Sequence, residues 1–402
     1  MQSINRQWLL VAGCVLTLAA CQSHSPQNTP HEFRDSIETS ADEWQDYQAR
    51  SQHWRALDRD FIRAEVAAEG LDEPKKPRKA HRFGFDPNQP TEWYATEEGQ
   101  RVAEIILSFQ TPSGGWSKRT DMGHKPRQTG QAFSVESNYI PTFDNSATTT
   151  QITALARAHA ATDDHRYLEG YIRGVELILE AQYPNGGWPQ TYPLRGGYHD
   201  YITYNDEVME NNLTILHRLG NGMAPFESAP PALRRQALDS LERGLDLVVA
   251  SQVTVDDTPT LWGGQHDPKT LEPRKARAYE MVALATSESV SLLDFMMDLE
   301  QPSKAIQHSI HSAMAWYEAN KILGYAWDTE AREIVPDEDA PPLWSRFAEI
   351  GTSRPLFGDR DHSVHYDIED ISMERREGYG WYTTDPNRVL EKYERWRQRF
   401  PR

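Results

Sequence analysis

The stretch Phe109-Gln110-Thr111-Pro112-Ser113-Gly114-Gly115-Trp116 closes a run with helical spacing and has a near copy at Ala181-Gln182-Tyr183-Pro184-Asn185-Gly186-Gly187-Trp188. A third version, opened into a longer turn, runs from Ser251-Gln252 to Trp262-Gly263-Gly264. The three glutamines fall 72 and 70 residues apart (182 − 110 and 252 − 182). Each interval holds two patterns of apolar residues at helical spacing, over 146–161 and 166–182 and then over 207–219 and 231–252. Two further helices are predicted at 287–299 and 303–322, and no alternating strand pattern of any length is present. A helical pair repeated at fixed spacing predicts an all-α fold, an α/α barrel or toroid of helix pairs with long irregular loops. In such a ring the turns at one end surround a cleft, where loops carry chemistry. The glycines permit the reversals. The tryptophans Trp116 and Trp188 have two readings, a plug between helices or a flat apolar platform for a ligand, and Trp188 is a candidate ligand contact.

Outward from the repeats, the chain of 402 residues carries a net charge of -18. Such an acidic protein is a poor partner for nucleic acid, whose affinity rests on cations facing phosphates. Residues 1–20 read as a secretory signal: Arg6 precedes the apolar run from Trp8 to Ala20, too short to span a bilayer. Leu18-Ala19-Ala20-Cys21 resembles the lipobox of bacterial lipoproteins, which implies cleavage before Cys21 and its lipidation, and Gln22-Ser23 lacks the aspartate of inner-membrane retention, which points to an outer-membrane address. Membrane contact would then run through the lipid anchor alone. Cys14 lies inside the signal, so the mature chain forms no internal disulfide. Residues 21–35 are a polar, flexible tether, and 36–95 an N-terminal helical extension with Trp44, Tyr47, Trp54, Leu57, Phe61 and Val66 at helical spacing. Within it, 73–90 is expected to be an exposed loop whose Lys75-Lys76-Pro77-Arg78-Lys79 run is solvated. The remainder, 96–402, is one catalytic domain expected to act as a monomer.

Three segments could carry chemistry. Thr142-Phe143-Asp144-Asn145-Ser146-Ala147-Thr148-Thr149-Thr150 heads a helix, where Asp144 or Asn145 would serve as N-cap. Asp200-Tyr201-Ile202-Thr203-Tyr204-Asn205-Asp206-Glu207 heads another, and Asn205, Asp206 and Glu207 offer more oxygen than a cap needs. Calcium takes six to eight oxygens in loose geometry, so two such helix starts on neighbouring loops are a candidate site. The third segment crowds Lys269, Arg274, Lys275 and Arg277 into nine residues with one acid, Glu272. In an acidic protein that cluster fits either an anionic partner or a set of surface salt bridges. His266, within Gln265-His266-Asp267, lacks a second ligand-type side chain at metal spacing and reads as a satisfied histidine in a turn. In Thr352-Ser353-Arg354-Pro355-Leu356-Phe357-Gly358-Asp359-Arg360, the arginines Arg354 and Arg360 would grip carboxylates or pair with the nearby aspartates.

These motifs together resemble family 10 pectate lyases. The similarity is carried by Gly-Gly-Trp-x-Lys-x-x-Asp-Met (114–122), Asp-Asn-x-Ala-Thr-Thr-Thr (144–150) and Tyr-Pro-Asn-Gly-Gly-Trp-Pro-Gln-x-Tyr-Pro-Leu (183–194). It continues through Ile-Thr-Tyr-Asn-Asp (202–206), Gln-His-Asp to Lys-Ala-Arg-Ala-Tyr-Glu (265–280) and Arg-Arg-x-Gly-Tyr (375–379). The resemblance implies a barrel of paired helices, calcium as cofactor, and β-elimination of polygalacturonate. By motif position it implies Arg277 as catalytic base, Asp206 as calcium ligand and Asp144 as an essential acid at the cleavage site, while Asn205 and Glu207 remain metal candidates on their oxygens alone. Lys118, Trp188, Lys269, Arg274, Arg354 and Arg360 are the expected contacts to the uronate chain. Lys269, Arg274 and Lys275 would ease loss of charge from Arg277 by repulsion. The sequence departs from the pattern at Gly264 and at Ser146, where glycine is expected.

Other classes remain open on the residues alone. An inverting glycoside hydrolase would use Asp144 with Asp206 or Glu207 as acid and base, though neutral sugars need no basic cluster. A terpene-cyclase-like toroid would need an Asp-rich apolar pocket, and the compact acidic run Asp337-Glu338-Asp339 sits between prolines in an expected loop. A lipid-anchored surface protein could also capture oligo-uronides without cleaving them.

Overall fold

A computed structural model describes residue 33, residues 37–136 and residues 140–402. The expected signal, Cys21 and the tether apart from residue 33 lie outside the described residues. Among the described residues the helices include α1 (Ala41–Ala68), α2 (Glu97–Ser108), α3 (Thr149–Thr162), α4 (His165–Ala181), α5 (Val208–Gly220), α6 (Pro231–Ser251), α7 (Thr286–Asp298), α8 (Lys304–Ala319), α9 (Met373–Glu377) and α10 (Pro386–Arg399). The six helices expected between 146 and 322 are present with ends shifted by a few residues, and α3 packs on α4, α5 on α6, and α7 on α8.

The glutamine and tryptophan of each turn lock the even-numbered helices together. Gln110 Nε2 donates to Gly114 O at 2.7 Å in its own turn and to Gly170 O of α4 at 2.8 Å. Gln182 repeats this with Gly186 O and with Ser240 O of α6, both at 2.9 Å, and Gln252 with Thr260 O at 2.8 Å and Ser309 O of α8 at 3.1 Å. Each indole N–H points back to the helix just left: Trp116 to Ile106 O, Trp188 to Ile178 O and Trp262 to Val248 O, at 2.7 to 2.8 Å. All three tryptophans are fully buried. Gly114 and Gly186 adopt φ of 108° and 101°, and a Cβ there would strike the backbone of Arg173 or Arg243. The turns are therefore structural plugs.

The all-α expectation is corrected. Helix makes up 47% of the structure and strand 11%, in several antiparallel sheets, so the fold is mixed α/β. A four-stranded antiparallel sheet runs in the order 364–365, 355–358, 347–348, 284–285. A second core, with Tyr279, Phe347, Phe357 and Trp381 among its members, gathers on it. Strands of two to four residues are too short to show an alternating pattern, which is why the sequence concealed them. The sheet holds the segments carrying Arg277, Arg346 and Tyr379 against the helices.

The N-terminal extension opens with one 28-residue helix, α1, started by a Ser40–Glu43 capping box. It lies against the turns. Tyr47 is buried and donates to Ala181 O at 2.9 Å, while Asp58 accepts from Ser113 N at 2.8 Å and Ser113 Oγ at 2.6 Å. Leu57 and Phe61, expected on its apolar face, are exposed.

Candidate active site

The odd-numbered helices α3, α5 and α7 begin around one groove. The segment before α3 holds Asn145, Ser146 and Thr148 at φ of 55°, 59° and 66°, and the segment before α5 holds Asp206 and Glu207 at 53° and 62°. Five non-glycine residues in the left-handed region cost energy that ordinary helix starts avoid. The N-caps are Thr148 and Glu207, and neither side chain caps. Capping therefore does not explain Asp144, Asn145 or Asp206. Ser146 departs from the expected glycine at a conformation glycine enters freely. Gly264 is the milder departure, since a Cβ there would meet only Ala285 Cβ at 4.0 Å.

A cavity of about 180 Å³ is lined by Lys118, Asp144, Asp206, Arg277, Arg346 and Tyr379, with Arg119, Asn145, Gln190, Tyr198 and Asn205. It shares Lys118, Arg119, Asn145, Asp206 and Arg346 with a groove of about 890 Å³. Asp144 is buried and accepts from Lys118 Nζ, from Asn145 Nδ2 and from Gln190 Nε2, the last at 3.0 Å. The Asp206 carboxyl meets that of Asp144. Burial first, then the charge and hydrogen bond of Asp144, push it up to about 7 against the pull of Arg277 and Arg346. Two acids pressed together in a part-buried site are a donor set for a hard cation. Asn205 donates to Asp206 at 3.2 Å, with Arg346 3.4 Å from its Oδ1, whereas the Glu207 side chain is exposed along the wider groove. No group of three or more His, Cys, Asp or Glu side chains converges among the described residues. A cation with six to eight oxygens would need the remainder from substrate and water.

Arg277 sits in a tight turn, with Glu280 N donating to Arg277 O at 3.0 Å. Its guanidinium pairs with Glu280, lies 5.2 Å from the Tyr279 ring centre and 5.8 Å from that of Tyr379, and remains 39% exposed. Burial alone would lower its pKa, but the hydrogen bond and charge of Glu280 reverse this and favour the charged form. Burial likewise opposes ionisation of Glu280, which Arg277 and the Tyr379 hydroxyl, at 2.8 Å, hold below the usual carboxylate range. The expected repulsion of Arg277 by its basic neighbours is absent: Arg274 pairs with Asp267 at 3.0 Å, Lys275 Nζ is 3.3 Å from His362 Nδ1, and Lys269 Nζ lies 5.8 Å from the Trp44 ring.

Of the expected contacts, Lys118 and Asp144 line the cavity. Trp188 does not, and its role as a platform is corrected: it is fully buried with its indole N–H bound to α4. Lys269, Arg274, Arg354 and Arg360 lie outside the cavity. Arg354 stacks on Tyr366 at 3.7 Å, and Arg360 holds Glu374 through two bonds of 2.9 Å. His266 is satisfied, its Nε2 accepting from Gly263 N at 2.9 Å and its Nδ1 2.7 Å from Leu271 O. Asp337, Glu338 and Asp339 are exposed and line neither the cavity nor the groove. Arg346 was missed. It pairs with buried Glu288 and sits 4.4 Å from the Tyr379 ring centre, on a single residue between two strands of two residues each. Glu280 and Tyr379 stood inside quoted motifs, but their roles show only in the folded geometry.

The pectic acid lyase family matches residues 110–390. Two solved structures of the family 10 polysaccharide lyase from Cellvibrio cellulosa resemble the chain. One, an aspartate-to-alanine mutant in complex with trigalaturonic acid, is 31% identical with a TM-score of 0.69, over 76% of this chain and 95% of that one. The other is 32% identical with a TM-score of 0.68, over 76% and 94%. No curated protein matches. By the span of that family match, and by the likeness to these structures over most of its length, the chain is a polysaccharide lyase belonging to the pectic acid lyase family.

Proposed function

We propose that the protein cleaves α-1,4-polygalacturonate by calcium-assisted β-elimination with Arg277 as base, releasing 4,5-unsaturated oligogalacturonates. The observation that carries this is the meeting of Arg277 with the Asp144–Asp206 carboxyl pair in one cavity, from three separate motifs. Trigalaturonic acid in the related mutant supports the substrate class. Asp144 and Asp206 would hold the cation, with Asn205 beside them. Calcium, when bound, would neutralise the uronate carboxylate and make the adjacent C5 proton more acidic. Lys118 and Arg346, which line the same cavity, would lend positive charge to the developing enolate oxygens. A guanidine nitrogen of Arg277 takes the C5 proton, the C4–O bond breaks, a C4=C5 double bond forms, and water protonates the departing oxygen. Removing the charge from an arginine near pH 9 costs about 5 kcal/mol, and the Glu280 pair adds to that.

That pair favours a second reading, in which Arg277 stays charged, clamps the uronate carboxylate, and hydroxide takes the proton. Ultraviolet absorbance of the unsaturated product tests both. Parent protein with polygalacturonate and calcium should give a rise that chelation abolishes. Arg277→Ala should lower kcat by about 10³-fold or more with KM near the parent value if Arg277 is the base. A loss carried mainly by KM supports the clamp. No rise from the parent, with binding intact, would point to a capture protein. A lipid anchor at Cys21 on the outer membrane, carrying a monomer, is proposed on the Leu18-Ala19-Ala20-Cys21 pattern, and mass spectrometry of the mature N-terminus tests it.

A further inference from the structure

The groove of about 890 Å³ is not built only from residues of the family match. His81, Arg82, Phe83, Pro87 and Asn88 line it, and they precede residue 110, where that match begins. Their segment is fixed in place. Ala80 N donates to Arg119 O at 3.0 Å, Asp121 N to Arg78 O at 3.0 Å and Met122 N to Phe83 O at 2.7 Å. Phe83 is buried beneath it, and Arg157 of α3 donates to Pro87 O at 2.8 Å and to Gln89 O at 3.0 Å. The wall thus runs along the segment that carries Lys118 into the small cavity.

Apart from Arg82, the cations of the groove are mostly spoken for, and its acids are Asp206, Glu207, Glu288 and Asp385. Lys118 pairs with Asp144, Arg119 with Glu136 and Arg346 with Glu288, and the Arg218 guanidinium donates to Ala224 O. Arg78, close by in sequence, pairs with Asp121 at 3.2 Å. Arg82 differs. It is exposed on the groove, held at φ of 53°, and makes no ion pair among the described residues. In a chain with a net charge of -18, an exposed cation on the groove with no carboxylate partner among the described residues is matched to an anion brought from outside.

We propose that the 78–89 wall is an added binding subsite for the uronate chain, with the Arg82 guanidinium receiving the carboxylate of a unit remote from the bond that breaks. This rests on polygalacturonate being the substrate. It assigns to the N-terminal extension a share in preference for longer chains, because short oligomers seated at Asp144 and Asp206 would leave the wall unfilled.

The test uses the full chain with Arg82→Gly, which removes the guanidinium while suiting a positive φ, and Arg82→Lys, which keeps the charge. Two readouts are taken: kcat/KM on polygalacturonate and on trigalacturonate, and retardation in gels containing polygalacturonate. Arg82→Gly should lose roughly tenfold in kcat/KM on the polymer, about 1.4 kcal/mol, carried by KM, and clearly less on the trimer. Retardation should weaken in parallel, and Arg82→Lys should recover most of both. Equal losses on the two substrates, or retardation unchanged in Arg82→Gly, overturns the subsite, as does a parent that is not retarded. A parent that is retarded but forms no unsaturated product ends the elimination reading alone, and weaker retardation of Arg82→Gly would then still support the subsite.

Discussion

The Gln–Trp turns and the groove at the starts of α3, α5 and α7 belong to the same repeated helical pairs, yet they are built on opposite terms. In the first two turns, positive φ falls on glycines and the glutamine side chain spans from its own turn to the next even helix. In the groove, positive φ falls on Asn145, Ser146, Thr148, Asp206 and Glu207, and the Asp144 and Asp206 carboxyls are pressed together. One region minimises its energy locally. The other stores unfavourable contacts that a bound cation and an anionic substrate would relieve. The third turn, nearest the basic segment, is already looser: buried Gln252 Oε1 has no partner among the described residues, whereas Arg173 and Arg243 serve the oxygens of Gln110 and Gln182.

The sharpest way to break this contrast is a pair of substitutions, one in each region. Asp206→Ala should lower kcat/KM at fixed calcium by about 10³-fold or more and raise the calcium needed for half-maximal activity. In chelator near pH 8 the same change should leave the thermal midpoint equal or higher, because it removes a carboxyl whose ionisation burial and Asp144 oppose. A lower midpoint would mean the acid pair is structural. Trp188→Ala should do the reverse, costing about 3–5 kcal/mol of stability by denaturant titration through lost packing and its indole hydrogen bond. Normal stability with weakened polygalacturonate binding would restore the platform reading and erase the difference between the regions.

Glu280→Gln sharpens the comparison within the groove. Glu280 raises the pKa of Arg277, so its neutralisation should lower that pKa while the amide keeps a partner for Tyr379. If Arg277 is the base, the alkaline rise of kcat should move to lower pH and activity near pH 8 should grow a few-fold. If Arg277 is a charged clamp, KM should rise and the profile should stay in place. Full pH–rate profiles of parent and variant separate the two.

The two regions also differed in how far they could be read from sequence. Most helices of twelve residues or more declare themselves through apolar spacing, so 166–182 is predicted and His165–Ala181 is found, although the 14-residue Pro386–Arg399 is not among those expected. The two- to four-residue strands carry no such signal, and with them went the sheet and the position of Arg346. Asp144, Asp206 and Arg277 were legible because they stand in dense motifs, whereas their electrostatics were not. The partner of Arg277 is Glu280, three residues on, rather than the basic residues before it. Arg354 and Arg360 left a choice between substrate and local pairing that composition could not settle. Tyr366 stacks on the first and Glu374, fourteen residues away, holds the second.

The smallest expected effect concerns the opening turn itself, where α1 is fastened by Asp58 to Ser113. Burial pushes the Asp58 carboxyl up to about 6, although the hydroxyl and amide of Ser113 oppose the rise. The folded state therefore binds this proton more tightly than the unfolded chain does. That contribution is complete below pH 4 and is lost as pH rises through 6. Relative to Asp58→Asn, which cannot titrate, the parent should lose on the order of 1 kcal/mol between pH 4 and pH 6.5. Denaturant midpoints of the two proteins across that window measure it. A constant difference would show that the carboxyl stays ionised against Ser113, making the fastening of α1 to the first turn an ordinary charge-assisted hydrogen bond, and the turn region would then hold no strained titratable group to set beside the groove.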